Sequence, residues 1–316
     1  METSRWTTVP LWARVLDYVQ LMKPRIIVLL LVTTAGAMWL AAQGEPDVNV
    51  VLTTLATGTM AAGAANTINC LYDRDIDRVM VRTQGRPIPA GRITPGQALV
   101  FAVVLAVGAL VIQSWRVNFL SALLEWAGIL VYVLVYTHWL KRSSPQNIVI
   151  GGAAGAIPPL VGWAAVTGNL SPCAWILFAI IFIWTPPHFW ALALLIREDY
   201  AQVGVPMLPV VAGSEQTTQQ ILFYTFLLVP TSLLLVYPCG VVGGLYALIA
   251  LILGGIFVYK VLQLFNQPQA VDLARSVFKY SIVYLLLLYL GMGLDRWPLV
   301  HTWQNVWVQK AMHWWG

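Results

Sequence analysis

Long apolar runs separated by short polar breaks organise the whole chain. Nine of them approach or exceed the roughly 20 residues a bilayer core requires: 26–42, 48–71, 97–112, 119–139, 148–166, 173–196, 221–237, 245–263 and 281–299. None alternates apolar and polar positions as a half-exposed strand does, which excludes a β-barrel. The pattern predicts an all-α polytopic membrane protein, with nine transmembrane helices bundled around a central cavity. Residues 1–300 form one domain in this reading, and 301–316 a Trp-rich tail. Trp297 precedes that tail, and Trp303, Trp307, Trp314 and Trp315 lie in it. Amphipathic aromatic rings favour the membrane–water boundary, so the tail is expected to lie along the outer interface as an anchor.

Composition sharpens this picture. Of 316 residues, 59% are hydrophobic and 10% charged, against about 45–50% and about 25% in soluble domains. The mean hydropathy is +0.74. A water-soluble enzyme, a disordered chain and a disulfide-stapled secreted module are excluded. Cys70, Cys173 and Cys239 are odd in number, lack metal spacing and sit in or beside apolar runs. They read as packing residues.

The net charge of +5 reports topology rather than nucleic-acid binding. With the N-terminus in the cytoplasm, Arg5, Arg14, Lys23, Arg25, Arg74, Arg78, Arg82, Arg86, Arg92, Lys141, Arg142, Arg197, Lys260, Arg275 and Lys279 fall inside. Only Arg116, Arg296 and Lys310 fall outside. The bias of Lys and Arg towards the cytoplasmic side fixes this orientation. The start lacks the pattern of a cleavable signal, and Glu2 and Asp17 argue against a mitochondrial transit peptide. A multi-pass protein of the bacterial inner membrane is expected.

Two cytoplasmic loops, 72–96 and 197–220, carry candidate chemistry. Asn69, Asp73 and Asp77 are spaced by four and would share one stripe of a continuous helix. Arg74, Arg78 and Arg82 repeat that spacing on the neighbouring stripe. Clustered acids call for a cation. Mg²⁺ takes one or two carboxylates and completes its shell with water and substrate phosphate. Adjacent arginines grip phosphate through bidentate hydrogen bonds. A solvated, self-paired charge loop would show the same spacing, but Asn66 and Asn69 inside an apolar run favour a site. Asp75 should point away from this stripe. The second loop adds Glu198 and Asp199 on the same side, able to hold a second metal or supply a base.

Run 173–196 contains Trp184-Thr-Pro-Pro-His188-Phe-Trp190. His188 lies roughly 12 Å inside the run at 1.5 Å per residue. It could be a core histidine hydrogen-bonded to a neighbouring helix, an axial ligand for a metalloporphyrin, or a general acid–base. His138 reads as a boundary residue, and His301 and His313 as structural. Gly151, Gly152 and Gly155 read as a close-packing surface. Asn147, beside Lys141 and Arg142, is a candidate diphosphate contact. Thr94-Pro-Gly-Gln97 reads as a capping box that opens run 97–112.

Several segments together resemble the intramembrane UbiA-type prenyltransferases, and within them the branch that farnesylates haem. They are Leu21-Met-Lys23-Pro24-Arg25, Asn69-Cys-Leu-Tyr-Asp73-Arg-Asp75-Ile-Asp77, Arg82-Thr-Gln-Gly-Arg86-Pro87, Leu140 to Gly152, Trp184 to Trp190, and Asp199 to Pro209. Other UbiA-type enzymes carry DxxxD in the second loop, whereas Val203 stands four after Asp199 here. The resemblance implies Mg²⁺ held by Asn69, Asp73 and Asp77, with Asp199 or Glu198 assisting. It implies farnesyl diphosphate bound by Arg74, Arg78, Arg82, Arg86, Lys141, Arg142 and Asn147. It implies haem B oriented by His188 and Trp184, a lipid bilayer as surroundings, and haem A synthase as a candidate partner. A UbiA-type transferase with an aromatic or chlorin acceptor, and a transporter of an anionic lipid or phosphate, are the alternatives.

Overall fold

A computed structural model describes residues 10–297. The tail residues Trp303, Trp307, Trp314 and Trp315, with His301, His313 and Lys310, lie outside the described residues, as does Arg5. The described chain is helical. In order it forms α1 (Leu11–Met22), α2 (Pro24–Ala41), α3 (Val48–Tyr72), α4 (Arg74–Val79), α5 (Pro95–Arg116), α6 (Phe119–Leu140), α7 (Asn147–Thr167), α8 (Pro172–Leu195), α9 (Arg197–Gln202), α10 (Leu208–Val211), α11 (Gly213–Leu233), α12 (Gly244–Asn266) and α13 (Val271–Asp295).

Eight of these helices are long and apolar enough to cross a membrane. The predicted run 221–237 falls largely within α11, which spans 21 residues but is not among the eight. It begins in the polar stretch from Gly213 to Gln220, which dilutes its apolar character. Ser214, Thr217 and Thr218 are buried there, where α11 packs on α8 and α12. The last run is shifted too. Helix α13 starts at Val271 rather than 281 because its first turns carry Asp272, Arg275 and Lys279. The capping box is present: Thr94 Oγ1 accepts from Gln97 N and Gln97 Oε1 accepts from Thr94 N.

Packing follows membrane rather than aqueous logic. On α5 the inward face is Ala98, Ala102, Ala106, Ala109 and Gln113. Leu99, Val103, Val107 and Val111 point outward. Small residues inside permit close helix approach where lipid removes the hydrophobic drive between helices. A Cβ at Gly162 of α7 would sit 2.3 Å from the Thr34 carbonyl oxygen of α2, so only glycine fits at that crossing.

Two features were not foreseen. Helix α1 is amphipathic, with Leu11, Trp12, Val15, Leu16 and Val19 exposed. Its other side is tied down by Arg92 Nε donating to Asp17 at 2.8 Å and by Tyr18 against Phe101. That is the pattern of an interfacial helix. The second is a disulfide between Cys173 and Cys239, with Cα atoms 5.7 Å apart. This corrects the packing assignment for both residues. Their apolar flanks are real, but the start of α8 and the α11–α12 connection meet in space, within bridging distance. Cys70 remains free and buried, as expected of a packing cysteine.

Candidate active site

The starts of α2, α5, α7, α11 and α13 and the ends of α3, α6, α8 and α12 alternate along the chain, so they gather at one end of the bundle. The candidate residues cluster there. Helix α3 ends at Tyr72 and Asp73 caps it before α4 begins. The continuous stripe predicted for Asn69, Asp73 and Asp77 is therefore broken at Asp73. The break lets both carboxylates turn inward: Asp73 is 1% and Asp77 3% exposed.

Each buried carboxylate has its own cation. Lys141 pairs with Asp73, and Arg86 Nη1 donates to Asp77 Oδ2 at 2.7 Å. Lys23 Nζ donates to Asn69 Oδ1 at 2.6 Å, and Asn69 Nδ2 donates to Thr137 Oγ1 at 3.2 Å. Burial drives the Lys23 ammonium below its usual range, and the positive charges of Arg86 and Lys141 push the same way. Burial opposes the charge on Arg86, but Asp77, Cys70 and Asp73 together outweigh it and hold the guanidinium above its usual range. Half-buried cations gathered in this way are primed for a polyanion.

The remaining predicted residues divide. Asn147 is fully buried, its Nδ2 reaching the Lys141 carbonyl at 3.5 Å, and its Oδ1 has no hydrogen-bond partner. Arg82 Nε lies 3.6 Å from Asp199, joining the two loops. Arg142 is turned to Asp75, donating to its two oxygens at 2.6 and 2.7 Å and to the Tyr72 carbonyl at 2.9 Å. It stays 3.9 Å from Asp73. Its hydrogen bonds hold the Asp75 carboxyl down at about 2. Arg74, Arg78 and Glu198 are exposed and make no ion pair among the described residues. Arg74 lines an outer groove with Leu71 and Leu99, because the break at Asp73 rotates α4 away from the stripe.

No group of three or more His, Cys, Asp or Glu side chains able to hold a metal occurs among the described residues. The five-residue metal set is thus not assembled: Asp199 is engaged by Arg82 and Glu198 stays at the surface. The donors that fit Mg²⁺ are the hard oxygens of Asn69, Asp73 and Asp77. Asp73 Oδ1 is buried without a hydrogen bond, an atom a hard cation would satisfy.

Deeper in α8, the His188 ring stacks with Trp184, centroid 4.4 Å away at 16°, and with Phe278 of α13 at 4.9 Å. Its Nδ1 is 2.7 Å from Ser281 Oγ. His138 sits at the boundary, edge-on to Tyr72.

Sequence reasoning missed Lys23, Thr137, Tyr132 and Tyr136 as site residues. Lys23 read as a topology determinant, yet its φ of 58° places it in the left-handed region between α1 and α2, a conformation that turns its side chain back over Asn69. Strained backbone of this kind concentrates at functional sites. The other three belong to a π-helical stretch, Val131–Leu140, that ends α6. Tyr132 and Tyr136 stack there, and the Tyr132 hydroxyl donates to Asn66 Oδ1 at 3.4 Å. Widened helices of this type also favour functional sites. Their visible signal was an aromatic pair four apart, just upstream of Lys141.

A helical membrane bundle with two buried carboxylates and three inward cations at one rim belongs to the class of intramembrane enzymes that handle a lipid-borne anion. The chain is a member of the UbiA prenyltransferase family, whose pattern matches residues 29–283, and it is a multi-pass integral membrane protein. It is 64% identical over 287 residues to the protoheme IX farnesyltransferase of Cyanothece sp. (strain PCC 7425 / ATCC 29141), covering 91% of this chain and 89% of that one. It is 56% identical over 319 residues to the protein of the same name from Acaryochloris marina, covering 99% and 96%. Among solved structures, digeranylgeranylglyceryl phosphate synthase superposes with a TM-score of 0.75 at 21% identity, over 90% of this chain and 99% of that one. A UbiA homologue from Archaeoglobus fulgidus bound to GPP and Mg²⁺ superposes with a TM-score of 0.61 at 15% identity, covering 88% and 99%. These two share the fold.

Proposed function

We infer that the protein transfers the farnesyl group of farnesyl diphosphate to a vinyl group of haem B, with addition of water, giving haem O and diphosphate. The acceptor assignment rests on one observation: the 64% identity, over 91% of the chain, to a relative named for that reaction. The site chemistry agrees with it.

Asn69, Asp73 and Asp77 would hold Mg²⁺, which draws charge from the diphosphate and makes it a better leaving group. Lys23, Arg86 and Lys141 bind the diphosphate oxygens and stabilise the charge that develops as the allylic C–O bond breaks. Arg82 and Asn147 complete the anion pocket, and Arg142 follows if it exchanges Asp75 for phosphate. Tyr132 and Tyr136 wall the allylic carbon from water, which would quench a cation early. The vinyl carbon of haem then forms the new C–C bond, and water adds to the adjacent carbon. The water proton leaves towards the departing diphosphate. Trp184 and His188 lie deeper, where a porphyrin dissolves and a diphosphate does not.

The protein sits in the bacterial inner membrane with the site end in the cytoplasm. Lysine and arginine crowd that end, and the Cys173–Cys239 bond lies at the other, as an oxidising periplasm favours. Its product serves haem A formation, which makes haem A synthase the natural recipient. Purified protein incubated with haem B, Mg²⁺ and farnesyl diphosphate should yield the farnesylated, hydrated haem by mass spectrometry. Prenylation of an aromatic acceptor, with haem B left unchanged, would overturn the assignment.

A further inference from the structure

Ser281 on α13 is fully buried and makes three contacts. Its Oγ donates to the Phe278 carbonyl at 2.7 Å. The same Oγ lies 2.7 Å from His188 Nδ1. Its carbonyl accepts from Trp184 Nε1 at 2.8 Å. A serine hydroxyl has one hydrogen. With that hydrogen directed to Phe278, the contact to His188 requires the hydrogen to be on Nδ1. The Nε2 nitrogen then carries the lone pair, and it has no hydrogen-bond partner among the described residues. Among the described residues its ring and hydrogen-bond partners are Trp184, Phe189, Phe278 and Ser281, with no carboxylate among them.

We propose that Ser281 is a positioning residue that fixes the His188 tautomer and ring plane so that Nε2 faces the iron of the haem acceptor. This rests on the reading of His188 as the haem contact. A metal-binding histidine is oriented by whatever its other nitrogen donates to, and that partner also raises its basicity. Here the partner is a hydroxyl whose own hydrogen goes to the Phe278 carbonyl, so reversing the tautomer would require that hydrogen to leave Phe278 for Nδ1. The Trp184 indole, held by the same residue's carbonyl, stacks on the ring. Phe278, one turn away on α13, stacks on it as well. A single turn of α13 thereby sets three aromatic groups of α8 and α13 for one planar acceptor.

The test uses the full-length purified protein and the variants Ser281→Ala, Ser281→Thr and His188→Ala. Each is titrated with haem B and with a non-hydrolysable farnesyl diphosphate analogue. The Fe–N(His) stretching band of bound ferrous haem is recorded as well. Loss of an outer partner of a metal ligand costs roughly 10–100-fold in affinity, so Ser281→Ala should weaken haem binding by about 10-fold. It should also lower the stretching frequency and leave the analogue affinity unchanged. Ser281→Thr keeps the hydroxyl and should restore both haem readouts. His188→Ala should abolish the band. If His188→Ala keeps wild-type haem affinity and spectrum, the haem reading of His188 fails and the proposal falls with it. If His188→Ala loses the band but Ser281→Ala keeps the wild-type frequency and affinity, the proposal alone is overturned. Equal loss of both ligands in Ser281→Ala, unrescued by threonine, also overturns it and marks a packing role. Should Ser281→Ala fail to fold, Ser281→Cys carries the comparison, because its thiol fills the space and accepts poorly.

Discussion

Asp73 and Glu125 are both buried carboxyl groups on the inward side of packed helices, 1% and 5% exposed, but their partners differ in kind. Asp73 lies against Lys141, with Arg142 3.9 Å off and one oxygen free of hydrogen bonds. Glu125, on α6 towards the opposite end, has no ion pair among the described residues and meets a hydroxyl. Thr57 Oγ1 is 2.9 Å from its Oε1 and 2.8 Å from Gln113 Oε1. Gln113 Nε2 donates to Thr54 Oγ1 at 3.2 Å and to Ser121 Oγ at 2.9 Å. Thr57 has one hydrogen for these two acceptors and for the Thr53 and Thr54 carbonyls, at 3.0 and 3.2 Å. A proton on Glu125 Oε1 lets the acid donate to Thr57, Thr57 to Gln113, and Gln113 to the other two hydroxyls, while Glu125 Oε2 has no hydrogen bond. One cluster is thus balanced by cations that a ligand can recruit. The other is a chain of hydrogen bonds among neutral groups, with no cation against Glu125 among the described residues. Buried polarity marks both regions, and only charge held by competing charge marks the reactive one.

The contrast can be broken most forcefully at the acids of the site. Asp73→Asn and Asp77→Asn should each lower turnover by about 10²–10³-fold, the scale of removing one electrostatic stabiliser, with the detergent-solubilised fold intact by circular dichroism. Wild-type turnover in either variant would place the metal elsewhere. Lys141→Met should raise the KM for farnesyl diphosphate by about 10-fold or more and leave the KM for haem nearly unchanged, read by steady-state kinetics. At the opposite cluster the ranking of substitutions should invert. Glu125→Gln supplies a neutral donor of the same shape, so stability should change by less than about 1 kcal/mol. Glu125→Ala strands Thr57 and should cost about 1–3 kcal/mol, with kcat in folded protein unchanged for both. A loss of turnover in folded Glu125→Gln would show that this carboxyl takes part in the reaction. The smallest effect is expected for Asp75→Asn. Its pair with Arg142 is exposed, worth about 0–1 kcal/mol, and turnover should change by less than about threefold. A larger loss than in Asp77→Asn would reverse the assignment of inward and outward acids.

Apolar run lengths made the bundle legible because each helix is stabilised by its own contact with lipid. Two boundaries drifted, at α11 and α13, where polar turns extend a helix beyond its apolar run and hydropathy carries no signal. Asp73 and Asp77 stood out because clustered acids beside an apolar run are costly without a purpose. Their geometry was less legible, since the helix breaks at Asp73 and the cation that meets it, Lys141, lies 68 positions along the chain. For the same reason the spacing groups Arg74 and Arg78 with the site and leaves Lys23 out. Spacing along one helix describes neighbours on that helix. Lys23 reaches Asn69 across 46 positions, a contact that only folding creates. The disulfide eluded sequence reasoning likewise, because Cys173 and Cys239 are 66 positions apart and each is locally indistinguishable from a packing cysteine.

Every charged residue of the site lies at a single end of the bundle, and that placement governs the energetics of turnover as well as recognition. The reaction converts one amphiphile and one planar lipid-soluble ring into two products of opposite solubility. Diphosphate, released at the rim, is diluted into water. The farnesylated ring, heavier by fifteen carbons, partitions more firmly into the bilayer. Reversal would require both to return to one small volume, from a phase in which each is scarce for the other. The membrane therefore acts as an extractor that separates the products as they form, and the enzyme needs no gate or pump to keep the reaction running forward.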